Sequence, residues 1–354
     1  MIEASGIGTY LKHLLPRVLR GLPEVRLCLL GNPSELGPLD WTRDERVIVR
    51  ELWAGVYSPL EQVAVPRATP PETRLLWTPH INLPVLYRGT LLVTVHDAYY
   101  ANLRRPVGTR WDKRIYTRLM MSALARRADC ILTVSDFTRR ELEAAFGPAR
   151  QPVRVVPNGV DASWFEVKAH AERPHEKPYV LYVGNLRPNK NVPGLLSAFE
   201  LLADSVAHDL VIAGRDFGLS ASPPVARVIR ALGDRVRFTG HLAEAELRQY
   251  YAHADALVLP SFYEGFGLPP LEAMACGVPV AVSRRAALPE DCGDAAVYFD
   301  SPEDPADIAA GLERLLGDPV LRRELVARGR ERAREFTWER AAADTLEVIR
   351  SLIG

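Results

Sequence analysis

Apolar strand-like segments alternate with helical patterns along nearly the whole chain, and this alternation occurs in two successive series. Strands that are apolar throughout are typical of parallel sheets covered on both faces, because helical crossovers join parallel neighbours. The pattern therefore predicts an α/β chain with two Rossmann-like parallel-sheet domains. The strands are predicted at 25–30, 47–52, 74–78, 90–95 and 130–134 in the first series, and at 179–183, 209–213, 256–259, 278–282 and 296–299 in the second. The predicted helices include 108–128, 136–146, 192–205 and 244–252.

A charged segment at 168–178 separates the two series. It contains two prolines and has no hydrophobic periodicity, which is typical of a linker. The segment divides the chain into an N-terminal domain, 1–167, and a C-terminal domain that begins at residue 179. Two such domains are expected to leave a cleft between them, where loops from the carboxyl ends of the strands collect.

Composition excludes several classes of protein. Lys plus Arg and Asp plus Glu both number 44, so the overall charge gives no case for a nucleic-acid partner. The four cysteines are scattered without metal-ligand spacing, which argues against a metal site or a disulfide framework. No apolar run has the length of a membrane span, and the N-terminus lacks a signal-peptide core. We therefore expect a cytoplasmic protein.

Two carboxylates, Glu264 and Glu272, flank a glycine-rich turn and the pair Pro269–Pro270. Because proline is tolerated in the first turn of a helix, the helix should begin beside this pair and carry Glu272. Glu264 then lies in the turn that follows a buried strand. The free N–H groups between the two carboxylates predict an anion site. In the alternative interpretation, Glu264 is a helix cap and Glu272 a solvated acid of the first turn.

Two cations follow another predicted strand. The loop that begins at Gly184 carries Arg187 and Lys190 between strand 179–183 and the helix that starts at Val192. This is a position for gripping a diphosphate, because Arg can bind two phosphate oxygens and Lys supplies a compact charge. An exposed basic loop is the alternative interpretation.

Candidate residues of the first domain are fewer. His96 ends strand 90–95, and the adjacent Asp97 is expected to orient its imidazole. Gly6 and Gly8 form a weak dinucleotide signal, because Leu11 stands where the third glycine would be. The basic residues of helix 108–128 predict either a solvated face, which is favoured, or a face for a lipid-linked acceptor or a membrane surface.

These motifs, from 184–191 to the Glu264–Glu272 segment, resemble the family 4 retaining glycosyltransferases, which have the GT-B fold of two Rossmann-like domains facing across a cleft. The resemblance implies that Glu272 accepts hydrogen bonds from ribose hydroxyls and that Arg187 and Lys190 stabilise the leaving diphosphate. It implies that His96 contacts the donor sugar or the reacting oxygen. It implies that Glu264 faces the donor sugar as a catalytic residue. The further donor-binding residues implied are Gly6, Gly8, Gly184, Gly265, Phe266, Gly267 and Leu268.

The resemblance also concerns both ends of the chain. It implies a C-terminal domain of 179–336 and a final helix, 337–354, that crosses back to the N-terminal domain, with Thr337 as its cap and Trp338 as its anchor. In the family a strand leads into the loop that matches Gly6–Gly8. Only five residues precede Gly6, so we expect this first strand to be short or missing.

The implied activity is transfer of a hexose, with retention, from a nucleotide diphosphate sugar to an acceptor hydroxyl of a glycan or lipid-linked acceptor. The sequence looks closest to bacterial mannosyltransferases, which favours GDP-mannose, with a UDP-hexose as the alternative donor. A catalytically inactive sugar-nucleotide-binding protein is the second alternative. Enzymes that hold a sugar nucleotide through a metal ion usually carry an Asp-x-Asp pair, and this chain has none. We therefore expect transfer without a metal, and we expect no other cofactor. Contact with the inner face of the membrane would suit a lipid-linked acceptor.

Overall fold

The computed structural model describes residues 6–55, 58–99 and 111–354, and the side chains of the helix that begins at Trp111 are described from Ile115. The chain divides into two compact units: Met1–Gly159 with Thr337–Gly354, and Val160–Phe336. Both contain parallel sheets, with helices between most successive strands. This confirms the predicted α/β class with a parallel sheet in each half.

The first unit contains two parallel sheets in its described residues. One is the pair β1–β2, and the other has the order β3-β4-β5-β6. The strand β4 is buried at every residue and forms the centre of the larger sheet. The elements up to Gly159 are α1 (Gly6–Gly21), β1 (Leu27–Gly31), α2 (Pro33–Leu36), β2 (Val47–Glu51), α3 (Glu61–Ala68), β3 (Leu76–Thr78), β4 (Leu91–Val95), α4 (Trp111–Arg127), β5 (Cys130–Thr133), α5 (Asp136–Phe146) and β6 (Val153–Val155).

Two predictions for this unit need correction or lie outside the structure. Gly6 and Gly8 do not form a loop, because both belong to the first turn of α1, whose buried face includes Gly8 and Tyr10. The strand predicted to be short or missing falls on residues 1–5, which lie outside the described residues. In addition, β6, a three-residue strand between Pro152 and Pro157, was not predicted.

The second unit contains one six-stranded parallel sheet with the order β12-β11-β10-β7-β8-β9. The chain leaves β7 on one side and returns at β10 on the other, so β7 and β10 are neighbours at the point where the strand order reverses. In open α/β sheets, ligands bind at the carboxyl ends of the strands at such a point. The elements are β7 (Tyr179–Val183), α6 (Val192–Leu202), β8 (Asp209–Ala213), α7 (Pro223–Leu232), β9 (Val236–Gly240), α8 (Glu244–His253), β10 (Ala256–Leu259), α9 (Leu268–Cys276), β11 (Val280–Ser283), α10 (Leu288–Cys292), β12 (Ala296–Phe299), α11 (Pro305–Gly317) and α12 (Pro319–Arg334).

The last helix, α13 (Trp338–Ile353), packs in the core of the first unit. The Thr337 hydroxyl accepts the N–H of Arg340 at 3.2 Å and caps the helix. Trp338 is 1% exposed and lies in the same cluster as Tyr10 of α1. The chain therefore enters and leaves the second unit once each, at Gly159 and after Phe336.

The predicted linker, 168–178, lies inside the second unit rather than between the units. Its backbone is tied to α8, because the Gln249 amide donates to the Lys168 carbonyl and accepts the N–H of His170. Farther along, the His175 imidazole lies 2.8 Å from the buried carboxylate of Asp209. Residues of the segment that indicated a linker thus contact other elements of the second unit. Among the residues described, no helix is both long and apolar enough to cross a membrane.

Candidate active site

The loops that follow β7 and β10 are joined to each other by two hydrogen bonds. The Phe262 N–H donates to the Asn189 carbonyl at 2.8 Å, and the Asn189 amide donates to the Tyr263 carbonyl at 3.2 Å. Because β7 and β10 are sheet neighbours, their loops meet at the carboxyl edge. The structure therefore brings together two motifs that the sequence analysis treated separately.

Lys190 and Glu264 form the central ion pair of this edge. The Lys190 ammonium lies 2.6 Å from both carboxylate oxygens of Glu264. The Glu264 side chain is 9% exposed and that of Lys190 is 21% exposed. The Ser261 hydroxyl donates to the same carboxylate at 2.7 Å. Removing one partner of such a shielded pair would leave the other charge uncompensated, so the two residues act as a unit.

Local backbone geometry turns Lys190 toward β10. Residues Pro188–Lys190 form one 3₁₀ turn, and Asn191 follows it with a left-handed φ of 54°. Asn tolerates this conformation better than most residues, and here its amide donates to the Pro302 carbonyl at 2.5 Å. The helix α6 then begins at Val192. A tight reversal therefore follows the cation directly.

Arg187 lies outside the ion pair. It is exposed, and its guanidinium lies 5.4 Å from the centroid of the Phe217 ring, in a cation–π contact. Gly184, at the start of the same loop, has a φ of 152°. Its carbonyl would lie 1.9 Å from a Cβ on Gly214, so the backbones of the two glycines touch. Close backbone contact thus accounts for glycine at position 214.

The turn between Glu264 and α9 offers fewer anion donors than predicted. As expected, Pro269 and Pro270 lie in the first turn of α9. The Gly267 N–H, however, donates to a carboxylate oxygen of Asp291 at 2.7 Å, so it is already engaged. The Leu271 N–H donates to the Gly267 carbonyl. Since proline has no N–H, Leu268 is the residue that still offers one at this helix end.

Phe266 and Gly265 complete this turn. Phe266 is partly buried and meets the Phe336 ring edge-on, with the ring centroids 5.7 Å apart. Gly265 is buried beside it. The contact of Phe266 with Phe336 therefore helps to fix the turn, in addition to the backbone conformation of its glycines.

Glu272 lies in the second turn of α9, facing α8. The Tyr251 hydroxyl donates to its carboxylate at 3.2 Å. Burial raises the pKa of Glu272 to about 7, although the Tyr251 hydrogen bond opposes the shift. A carboxyl group with this pKa exchanges its proton near neutral pH, so its capacity to accept hydrogen bonds depends on pH.

His96 follows β4 in the first unit. Its ring meets Tyr10 edge-on, with centroids 4.8 Å apart. Burial lowers the pKa of His96 to about 4, with the neighbouring His80 acting in the same direction and a hydrogen bond to the Pro79 carbonyl opposing it. Within the described part of the chain, no group hydrogen-bonds to the buried Nε2. The imidazole is therefore neutral, and Nε2 is left as an acceptor.

Asp97 does not have the orienting contact that was expected. The hydrogen bond that fixes the His96 imidazole goes to the Pro79 carbonyl, while the Asp97 carboxylate accepts the N–H of Tyr99 at 3.1 Å. Asp97 is also exposed. A backbone carbonyl suffices to select the tautomer, because it can only accept and so requires a protonated ring nitrogen.

Sequence reasoning missed Ser261, Asn189, Tyr251 and Asp291. Ser261 stands three residues before Glu264, a Ser-x-x-Glu spacing that could have indicated a local hydrogen bond. The contacts of Tyr251 and Asp291 with the site depend on how helices pack in space. No local pattern in the sequence carries that information.

Two family models match adjacent parts of the chain. The model described as "Glycosyltransferase Family 4" matches residues 71–164, and the one described as "Glycosyl transferases group 1" matches residues 165–332. The O-antigen chain mannosyltransferase B of Escherichia coli is 33% identical over 287 residues, which cover 71% of this chain and 71% of that protein. The second of these models covers both Lys190 and Glu264.

Solved structures show the same architecture. Sucrose-phosphate synthase from Thermosynechococcus elongatus has a TM-score of 0.76 at 24% identity, with 99% of this chain and 94% of that chain covered. Anabaena Alr3699/HepE, solved in complex with UDP and glucose, has a TM-score of 0.74 at 17% identity, with 99% and 98% covered. Together with the two family models and the E. coli relative, these likenesses show that the chain belongs to the family 4 glycosyltransferases and has the GT-B fold.

Proposed function

We propose that this glycosyltransferase transfers a hexose, with mannose favoured, from a nucleotide diphosphate sugar to an acceptor hydroxyl in glycan or glycoconjugate synthesis. The E. coli relative is named as a mannosyltransferase, which supports mannose, and GDP-mannose is the corresponding favoured donor. A UDP-hexose is the second candidate, supported by the solved neighbour that holds UDP and glucose. The acceptor is a glycan or a lipid-linked sugar.

The observation that carries this proposal is the Lys190–Glu264 pair at the carboxyl edge of β7 and β10. An ammonium has three N–H bonds, and two of them serve the Glu264 carboxylate. The third can reach a phosphate oxygen while the pair stays intact. Arg187, exposed on the same loop, supplies a second cation that can swing to the diphosphate. Preorganised cations of this kind stabilise the charge that develops on a leaving group.

Retention is part of this proposal, and the same pair argues against a covalent intermediate on the protein. Both oxygens of Glu264 are held by Lys190, and one also accepts from Ser261, so this carboxylate is poorly suited to attack the sugar. We assign a front-face reaction without a protein nucleophile. The bond from the anomeric carbon to the diphosphate oxygen breaks, with its electron pair leaving on the diphosphate. The acceptor oxygen bonds to the same face, and its proton passes to the departing phosphate.

His96 is assigned to binding a substrate hydroxyl. Its neutral imidazole and unengaged Nε2 support the role of an acceptor for a hydroxyl of the donor sugar or for the reacting hydroxyl. Glu272 is assigned to binding the ribose hydroxyls. The proposed reaction needs no divalent metal, because Lys190 and Arg187 neutralise the diphosphate.

The test measures release of nucleoside diphosphate and formation of product with GDP-mannose, UDP-glucose and UDP-N-acetylglucosamine, each in EDTA and with added magnesium. We expect turnover with GDP-mannose in EDTA and a product whose anomeric signal in NMR matches that of the donor. Turnover of UDP-glucose alone would replace mannose by glucose. An inverted product would overturn retention, and binding of donors without turnover would indicate an inactive sugar-nucleotide-binding protein.

A further inference from the structure

The short helix α10 is attached to both ends of the turn that carries Glu264. The Ala287 N–H donates to the Glu264 carbonyl at 3.3 Å, at the beginning of the turn. The Asp291 carboxyl accepts the Gly267 N–H at 2.7 Å, at its end. Ala286 leads into α10 with a left-handed φ of 56°, a conformation that an alanine adopts only at a cost in energy. Such a conformation persists when the surrounding contacts over-determine it.

The contact between Asp291 and the turn is tightly packed. Asp291 is 1% exposed, which is rare for an acidic side chain. A Cβ on Gly267 would lie 2.9 Å from the Leu288 side chain and 3.3 Å from the Asp291 carboxyl. Both side chains therefore lie close against Gly267, and a residue with a Cβ would not fit there without a shift. A backbone N–H buried at this position needs an acceptor, and the Asp291 carboxyl supplies it.

A second element fixes α10 from behind. Arg332 of α12 donates to the Asp291 carbonyl at 2.9 Å and to the Glu290 carbonyl at 2.5 Å. Its guanidinium also lies 4.8 Å from the centroid of the Phe336 ring, which contacts Phe266 of the turn. The Asp291 side chain is thus held between a fixed backbone and the Gly267 N–H.

We propose that Asp291 is a positioning residue of the transfer reaction: by holding the Gly267 N–H, it fixes the turn that presents Glu264 and the start of α9 to the donor. This assignment rests on the proposed function of that turn. Burial raises the pKa of Asp291 well above its usual range, against the opposing effects of Gly267 and Arg332. The carboxyl group accepts the Gly267 N–H in either protonation state, because each state keeps an oxygen lone pair.

The experiment compares Asp291→Asn with Asp291→Leu. Asn keeps the shape and a carbonyl acceptor for the Gly267 N–H, so kcat should stay within about threefold of wild type. Leu removes the acceptor and frees the turn, and misplacement of reacting groups by about 1 Å can cost on the order of a hundredfold in rate. We expect kcat to fall about 10- to 100-fold in Asp291→Leu. The affinity for free nucleoside diphosphate should change less than threefold, because Lys190, Arg187 and Glu272 are untouched.

Two further measurements separate positioning from general stability. Cys292→Ala, at the buried neighbouring position of α10, should lower the melting temperature while kcat stays near wild type. Hydrogen exchange of the Gly267 amide should accelerate in Asp291→Leu but not in Asp291→Asn, and this readout requires no turnover. If Asp291→Leu does not fold, Asp291→Ala replaces it in both assays.

The outcomes are distinct. A leucine or alanine variant with wild-type kcat, or an asparagine variant as slow as the leucine variant, would overturn the positioning role. Unchanged amide exchange in the leucine variant would overturn it as well. If the Gly267 amide exchanges faster in Asp291→Leu but the wild-type protein turns over no sugar nucleotide, the contact is supported and the proposed function is refuted.

Discussion

The Lys190 ammonium lies 2.6 Å from both carboxylate oxygens of Glu264, although the two residues follow different strands of the sheet. The pair therefore spans the point where the strand order reverses, between the loops of β7 and β10. It does more than supply charge, because it also fastens the loop that follows β7 to the turn that follows β10. Electrostatic catalysis depends on such fixed geometry, since charges that need no reorganisation stabilise the transition state most.

Lys190→Met should reduce both activity and stability. Methionine keeps most of the aliphatic stem but removes the charge, so Glu264 is left partly buried without a partner. Loss of one donor to a developing anion typically costs about a hundred- to thousandfold in kcat. Arg187→Met should lower kcat/KM with an unchanged melting temperature, because Arg187 is exposed. Steady-state kinetics and thermal melts check both, and restoration of Lys190→Met by magnesium would contradict the assignment.

A double-mutant cycle should show that Lys190 and Glu264 are coupled. Glu264→Gln alone leaves the ammonium without its carboxylate, and Lys190→Met alone leaves the carboxylate without its cation. The double variant has neither charge, so its unfolding free energy should exceed the additive expectation by about 0.5–3 kcal/mol. Urea denaturation of the four proteins measures this. Arg187→Met combined with Glu264→Gln is the matched control, and an additive Lys190 cycle would refute the coupling.

Glu272 should make stability depend on pH. Its pKa is raised from 4.5 to about 7, so between these values the folded state holds a proton that the unfolded state has lost. Stability therefore falls as pH rises from about 4.5 to 7 and the loss persists above that range. Glu272→Gln removes this term. Between pH 4.5 and pH 8, the wild type should therefore lose about 1–3 kcal/mol more unfolding free energy than the variant does. Urea denaturation of both proteins at the two pH values measures this.

The same titration should control binding of the donor. In the proposed assignment ribose hydroxyls donate to the Glu272 carboxylate, so affinity for free nucleoside diphosphate should rise as pH increases through about 7 in the wild type. In Glu272→Gln the affinity should be weaker and nearly independent of pH over this range. Calorimetric titration at pH 6 and pH 8 distinguishes the two. Equal affinity of variant and wild type at pH 8 would show that the ribose contact lies elsewhere.

His96→Phe should lower kcat by about 10- to 100-fold, within the usual effect of one positioned polar group. Phenylalanine can keep the edge-on contact with Tyr10 while it removes the Nε2 acceptor, so the melting temperature should stay near the wild-type value. Because the pKa of His96 is lowered to about 4, its charge does not change between pH 6 and 8. A limb of the pH–rate profile in that range that disappears in His96→Phe would contradict the neutral imidazole.

Sequence reasoning predicted elements best where burial decides the pattern. β7, β8 and β10 have the predicted bounds because they are largely buried apolar runs, and β12 has them because it is apolar throughout although it lies at the sheet edge. By contrast, β9 was missed, since it lies at the sheet edge and includes exposed or half-buried polar residues.

For the site, local motifs located Lys190, Glu264 and Glu272. They could not show that Lys190 is bound to Glu264 or that Asp291 occupies the Gly267 N–H. These contacts depend on the order of strands in the sheet and on the packing of α10 against the turn. The linker was misplaced for a related reason, because charged residues such as His175 have partners that only the folded unit supplies.

Gly159→Ala should dislodge α13 from the first unit. A Cβ at this position would lie 2.1 Å from the Trp338 backbone nitrogen, a distance at which one of the two backbones must move. Overpacking of a core typically costs about 1–3 kcal/mol, and a clash with backbone should lie at the upper end of that range. Gly317→Ala is the matched control, because a Cβ there has no neighbour within 4 Å and should be neutral or slightly stabilising in helix α11. Urea denaturation and limited proteolysis of the C-terminal helix would compare the two variants, and equal stabilities would refute the close packing of Gly159 against Trp338.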